Sequence, residues 1–141
     1  MNSEKKHRNT AVGVVVNSEK KILICLSDRD NNDWKFPQGG IEENETPREA
    51  VKRELKEEVA IEITDDQILS EEKVVSYFFS NGFEIRLHPF LINYEGSSVT
   101  ISREEFCEYK WMSPEEISTL KLGVRKNAYL QILKKFKLLQ E

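Results

Sequence analysis

Apolar and polar positions alternate between two periods along this chain. Residues 11–16 (AVGVVV) and 21–27 (KILICLS) are apolar runs of strand length, separated by the polar turn Asn17-Ser18-Glu19-Lys20. After the polar loop 27–33, Trp34 and Phe36 alternate with Lys35, which predicts a short strand inserting its aromatics into the core. Residues 74–80 and 83–94 flank Asn81-Gly82, the strongest hairpin signal present. Pro89 falls inside the second arm and predicts a bulge or an edge position. Tyr77, Phe78 and Phe79 offer faces for stacking a nucleobase, but at least two of the three are expected in the core.

Three segments carry the helical period instead. Thr46 reads as an N-cap, Pro47 as the first helical residue and Glu49 as the third position of a capping box. Val51, Leu55 and Val59 then share one narrow stripe facing a core. Ser113-Pro114-Glu115-Glu116 is a second capping box, opening a short helix to about residue 120. A last helix over 125–139 places Ala128, Ile132, Phe136 and Leu139 on one side, with Tyr129 and Leu133 alongside, and should cover one face of a sheet. Residues 63–70 read as a polar connector and 95–98 as a loop.

With 141 residues, 33% of them charged and 38% hydrophobic, the chain fits one soluble domain over 1–141, with 1–9 as a polar lead. A net charge of -4 argues against a generally basic nucleic-acid binder, although Lys5, Lys6, His7 and Arg8 form a small basic cluster. Cys25 and Cys107 are too few for a disulfide framework, and Cys25 reads as a small buried hydrophobe. The first residues lack a signal-peptide run and no stretch is long enough to span a bilayer, so a cytoplasmic protein without a membrane partner, monomeric or homodimeric, is expected.

Candidate chemistry concentrates on the first helix. Glu57 and Glu58 follow Glu54 by three and four residues, which puts three like charges on one face where they repel. Divalent cations between them reverse that sign, and oxygen donors suit Mg²⁺ or Mn²⁺. Arg48, Lys52, Arg53 and Lys56 mix the charges elsewhere, so helix composition alone fits a solvated acidic face equally well. Arg53 is also placed to pair with a carboxylate such as Glu45 and hold the loop against the helix.

The spacing decides between these readings. Gly39, Glu45, Arg53-Glu54-Leu55, Glu57-Glu58 and Ile61 resemble the Nudix box, G-x5-E-x7-R-E-U-x-E-E-x-G-U, with Ala60 in place of the last glycine. If that position is left-handed, alanine there costs about 1 kcal/mol.

This resemblance implies an α/β protein, the Nudix α/β/α sandwich around a mixed central sheet, with the box as a loop-helix-loop. It implies Mg²⁺-dependent hydrolysis of a phosphoanhydride in a nucleoside diphosphate-linked substrate: a nucleoside triphosphate, a dinucleoside polyphosphate or 5′-triphosphorylated RNA. The Gly39 carbonyl, Glu54, Glu57, Glu58 and Glu105 are the implied metal ligands, with Glu104 and Glu108 as fallbacks for Glu105. Glu57 is a ligand or the general base, and Arg53 is grouped with it as catalytic. Arg8, Gln38, Tyr77 and Lys126 are the implied substrate contacts, and Arg125, beside Lys126, is likewise implied to reach substrate phosphates. FPQGG and Arg8 resemble the RNA pyrophosphohydrolase and dinucleoside polyphosphate hydrolase branch, whereas the compact hairpin and EYKWMSPEE resemble the MutT-type nucleoside triphosphate pyrophosphatases. A non-catalytic Nudix sensor that binds nucleotide or RNA is the rival reading; such modules typically lose box glutamates, and all are present here. An RNA-binding protein without chemistry is disfavoured by the acidic charge.

Overall fold

A computed structural model describes residues 6–96 and 98–140. In chain order its elements are β1 (His7–Val16), β2 (Ile22–Ser27), β3 (Asp33–Lys35), β4 (Gln38–Gly40), α1 (Pro47–Val59), a 3₁₀ turn (Asp65–Gln67), β5 (Ile68–Glu71) and β6 (Val75–Phe78). They continue with β7 (Glu84–Asn93), β8 (Glu108–Met112), α2 (Pro114–Ile117), a second 3₁₀ turn (Gly123–Arg125) and α3 (Lys126–Lys135). One mixed sheet follows the path β3-β2-β1-β7-β5, with β4 added to β1, β6 to β7 and β8 to β2.

The centre of the sheet is the parallel pair β1–β7, in register from His7 opposite Glu84 to Val16 opposite Asn93. Both faces of this pair are covered, which is why residues 11–16 of β1 read as an apolar run. Val12, Val14, Ile85 and Leu87 pack with Tyr129, Ile132 and Leu133 of α3 on one side. Ala11, Val15, Phe90 and Ile92 pack with Val51, Leu55 and Val59 of α1 on the other. The α/β/α sandwich expected from the sequence is therefore present. Along its other edge β1 meets β2 only at Val16, while β4 pairs with Thr10, Ala11 and Val12. That split carries Gln38, Gly39 and Gly40 to the middle of the sheet beside α1.

Several sequence expectations need correction. Pro89 lies in a central strand, not at an edge: it falls where the partner of β7 changes from β6, ending at Leu87, to β5, starting at Phe90. Its carbonyl accepts from Glu72 N at 3.1 Å, so the strand bonds through this gap by an acceptor and the missing N–H interrupts no paired register. Of the three aromatics only Tyr77 is core; Phe78 is 57% and Phe79 36% exposed. Alternation along β6 turns Phe78 away from the side that buries Tyr77.

Strand β1 begins at His7, so Arg8 belongs to the sheet and not to a lead. Lys5 and the rest of residues 1–5 lie outside the described residues, as does Ser97 of the 95–98 loop. The connector at 63–70 contains most of β5. Helix α2 stops at Ile117. Helix α3 stops at Lys135, because Lys137 adopts φ 60 and turns Leu138 N back onto the Leu133 carbonyl. Among the described residues no helix is long and apolar enough to cross a membrane.

Candidate active site

Helix α1 is fixed at both ends. Thr46 Oγ1 accepts from Glu49 N at 3.1 Å and Glu49 Oε1 accepts from Thr46 N at 2.8 Å, which closes the expected capping box. At the other end Ala60 stands at φ 58, ψ 35, and Ile61 N donates to the Leu55 carbonyl at 3.2 Å. The left-handed cap thus forms without glycine. Thr100 N and Ser102 N donate to the Val59 and Glu58 carbonyls, so the loop carrying Glu105 is tied to the last turn of α1.

Arg53 knits the box together. Its Nε and Nη2 donate to the two Glu45 carboxylate oxygens at 2.7 and 2.9 Å, and Nη2 also donates to the Gly40 carbonyl at 3.0 Å. Its Nη1 donates to Glu54 Oε1 at 2.7 Å and, more loosely, to Glu57 Oε1 at 3.3 Å. The fork on Glu45 holds that carboxyl below its ordinary range and the guanidinium above its own. Arg53 does not line the cavity described next. It meets that cavity through the carboxylate of Glu54, which it holds.

Beside this network lies a cavity of about 430 Å³ whose wall includes Glu54, Glu58, Glu105, Arg8, Lys35 and Arg125. Tyr77, Phe79 and Phe83 add aromatic surface to the same wall. Two glycines make the approach possible. A Cβ on residue 39 would overlap the Glu54 carboxylate, and one on residue 40 would overlap the Arg8 guanidinium.

Glu58 is buried and accepts from Gln38 N at 3.1 Å. Burial, the neighbouring Glu54 charge with a hydrogen bond between the two carboxyls, and the Glu105 charge push its carboxyl up to about 9, against the opposing Gln38 N–H. Among the described residues no three acidic, histidine or cysteine side chains converge closely enough to enclose an ion. The donor chemistry fits a hard cation all the same: oxygen ligands only, one of them buried, with mutual repulsion that added positive charge relieves.

Gln38 is held between two tyrosines. Its Nε2 donates to Tyr77 Oη at 3.2 Å and its Oε1 accepts from Tyr129 Oη. Gln38 thus links Glu58, through its backbone N–H, to the tyrosine beneath Arg125, with its side-chain acceptor already engaged.

Arg125, 3% exposed, donates through Nη2 to Asp30 Oδ2 at 2.5 Å and lies 5.3 Å from the centre of the Tyr77 ring. Its Nε and Nη1 have no hydrogen-bond partner among the described residues. Burial raises the Asp30 carboxyl, but the Arg125 and Lys35 charges outweigh it and hold Asp30 low.

The expected set is thus partly assembled. Gly39, Glu54, Glu58, Glu105, Arg8, Gln38 and Tyr77 come together. Glu57 does not line the cavity; its side chain is 58% exposed and shares Arg53 Nη1 with Glu54 at the rim. Glu104 and Glu108 also stay outside the cavity wall. Lys126 is exposed, and the cation of that turn that enters the cavity is Arg125. The signal was present in the sequence: Arg125 precedes Ala128 and Tyr129 by three and four residues, on the buried stripe, while Lys126 is off it. Lys35 and Phe83 were not anticipated as wall residues.

Fold and site together define a Nudix-type α/β/α protein with a glutamate-rich box helix. The NUDIX domain model matches residues 6–134, and the chain belongs to the Nudix family. It is 31% identical to the RNA pyrophosphohydrolase of Campylobacter jejuni subsp. jejuni serotype O:23/36 (strain 81-176), over 96% of each chain. Identity is also 31% to Nudix hydrolase 26, chloroplastic, of Arabidopsis thaliana, covering 89% of this chain and 67% of that one. Among solved structures, the MutT protein of Methanosarcina mazei Go1 superposes with a TM-score of 0.79 at 20% identity, over 96% of this chain and 99% of the other. That likeness bears on the fold alone.

Proposed function

We propose that this chain hydrolyses a phosphoanhydride bond in a nucleoside diphosphate-linked substrate, with Mg²⁺ as cofactor and 5′-triphosphorylated RNA ends as the favoured substrate. The supporting observation is one cavity that holds Glu54, Glu58 and Glu105 together with Arg8, Lys35 and Arg125. A polyphosphate needs both: cations for its oxygens, and carboxylates for a hard metal and for the proton of water.

Glu54, Glu58, Glu105 and the Gly39 carbonyl would hold the ion, with Glu57 joining from the rim; Mn²⁺ would substitute. When bound, the ion supplies charge that neutralises phosphate oxygens and acidifies water. Arg8, Lys35 and Arg125 bind the remaining phosphate charge. Water attacks phosphorus, the anhydride P–O bond breaks, and the leaving phosphate keeps its electron pair. Glu54 takes the proton in preference to Glu57, since its carboxylate lines the cavity and is aimed by Arg53.

Preference for RNA ends is supported by Arg8 reaching the cavity wall and by the similarity to a protein named as an RNA pyrophosphohydrolase. A nucleoside triphosphate substrate is the second reading, favoured by the short Phe79–Phe83 turn, closed by Phe79 N on the Phe83 carbonyl at 3.0 Å. Two unpaired cysteines suit a reducing compartment, and the cytoplasm is the proposed location.

The test is phosphate and pyrophosphate release with Mg²⁺, with and without chelator. The panel comprises nucleoside triphosphates, diadenosine polyphosphates, ADP-ribose and 5′-triphosphorylated RNA. Chelator-sensitive turnover fastest on the RNA is expected. Binding without turnover on any member would replace the enzyme by a sensor module.

A further inference from the structure

Gln38 is the one residue of β4 that carries a side chain, since Gly39 and Gly40 complete the strand. A three-residue strand with two glycines has little of its own to hold it. Its support from the sheet is the pairing with Thr10, Ala11 and Val12 of β1, continued by Gly13 N on the Pro37 carbonyl at 3.0 Å. Yet this strand carries a demanding contact. Gln38 N donates to Glu58 Oε1 at 3.1 Å, and among the described residues it is the one backbone N–H on that carboxyl. The charges of Glu54 and Glu105 repel a Glu58 carboxylate, so its direction depends on the donor that opposes them.

The side chain of Gln38 supplies the anchor that the glycines cannot. Its Nε2 donates to Tyr77 Oη at 3.2 Å, and Tyr129 Oη donates to its Oε1. The two tyrosines come from different elements, Tyr77 from β6 and Tyr129 from α3. Tyr129 is fully buried, with its ring centre 4.3 Å from that of Phe36. Tyr77 is buried as well, with Phe79 edge-on to its ring at 5.7 Å and Arg125 over its face. Both hydroxyls therefore sit on rings that the core holds still, and the amide between them is fixed from two sides. With its acceptor and one donor engaged, that amide has little left for a substrate. Fixing the side chain restricts the φ and ψ of Gln38, and with them the direction of its N–H.

We propose that Gln38 is a positioning residue for the metal site and not a substrate contact: Tyr77 and Tyr129 grip its amide, and its N–H thereby holds Glu58 toward Glu54. The proposal rests on the reading of Glu58 as a Mg²⁺ ligand. Hydrogen bonds to a ligating carboxylate set its orientation, and their loss lowers metal affinity.

The experiment reads Mg²⁺ binding by calorimetry, without substrate. Tyr129→Phe and Tyr77→Phe each delete one hydroxyl and keep the ring, and Gln38→Met keeps the length of the side chain without its amide. Each should raise the Mg²⁺ dissociation constant by roughly tenfold, the lower end of the cost of losing an outer partner of a metal ligand. Tyr129→Phe combined with Gln38→Met should be no worse than Gln38→Met alone, because both cut the same chain of contacts. With 5′-triphosphorylated RNA at saturating Mg²⁺, the substrate KM of Tyr129→Phe should stay near the wild-type value.

Unchanged Mg²⁺ affinity in the variants overturns the proposal. If KM rises instead, the amide contacts substrate; if only the melting temperature falls, the tyrosines merely support the core. A double variant whose loss is the product of the two single losses also overturns it, since the Tyr129 hydroxyl then acts apart from Gln38. A wild type that binds Mg²⁺ yet hydrolyses no substrate refutes the hydrolase reading alone, and the same titrations still decide this one. A wild type without measurable Mg²⁺ binding overturns both.

Discussion

The carboxylate of Glu54 occupies the space that a β-carbon on residue 39 would need. Gly39 is therefore fixed by the neighbour it must admit, and the Gly-Gly loop and the box helix are fitted to each other at this point. Gly39→Ala should displace the Glu54 carboxylate while leaving α1 formed. A misplacement on the order of 1 Å costs roughly 10²-fold in rate. Turnover should fall by about that factor with an unchanged far-ultraviolet circular dichroism spectrum. Full activity in the variant would mean that Glu54 is free to move without penalty.

Arg53 satisfies Glu45, Glu54 and the Gly40 carbonyl at once. Arg53→Ala leaves two half-buried carboxylates without their donor and should lower stability by about 1–3 kcal/mol, read from urea unfolding. Arg53→Lys should recover little of it, because a single ammonium cannot reproduce the two-pronged contact with Glu45.

Glu58 links the site to pH. Its folded pKa, about 9, lies above the ordinary 4.5, so the associated stability is fully present below the unfolded value and is lost as pH rises through the folded one. Burial lowers the His88 pKa, which confines its own linkage to the acid side of the window from about pH 7 to 9. In chelator the protein should therefore lose roughly 2 kcal/mol across that window, at up to ~1.4 kcal/mol per pH unit. Thermal melts of Glu58→Gln should lack this slope, and Mg²⁺ should remove it from the wild type. A wild-type slope as flat in chelator as in Mg²⁺ would sink this assignment.

Ala60, at φ 58, carries strain that glycine would not. After allowing for the greater unfolded-state freedom of glycine, Ala60→Gly should stabilise the protein by about 0.5–1 kcal/mol. The substitution touches no cavity residue, so kcat should stay put while the melting temperature rises.

Much of this was legible because local chemistry and tertiary placement agree. Thr46, Pro47 and Glu49 start α1 as their side chains dictate, and Val51, Leu55 and Val59 bury as their spacing dictates. Glu54 and Glu58 reach the cavity for the same reason. Sequence failed where a partner outside the window decides. Pro89 is tolerated centrally because β6 hands over to β5 beside it, which its own neighbours do not announce. Glu57 is turned to the rim by helix rotation and by Arg53, although it matches the box as well as Glu58 does. The pairing of Arg125 with Asp30 joins residues 95 positions apart, and only the fold brings it together. Phe83 and Lys35 reach the cavity through a turn and a short strand whose orientation no period encodes.

The most direct test of the central claim is kcat on a 5′-triphosphorylated oligonucleotide at saturating Mg²⁺, for wild type against Glu54→Gln. A positioned general base contributes roughly 10²–10⁴-fold, so a loss in that range, with folding retained and Mg²⁺ affinity lowered because Glu54 is also a proposed ligand, is the expected result. Undiminished turnover in Glu54→Gln, or wild-type turnover that survives chelator, would contradict the assignment of this cavity as a metal-assisted phosphoanhydride hydrolase.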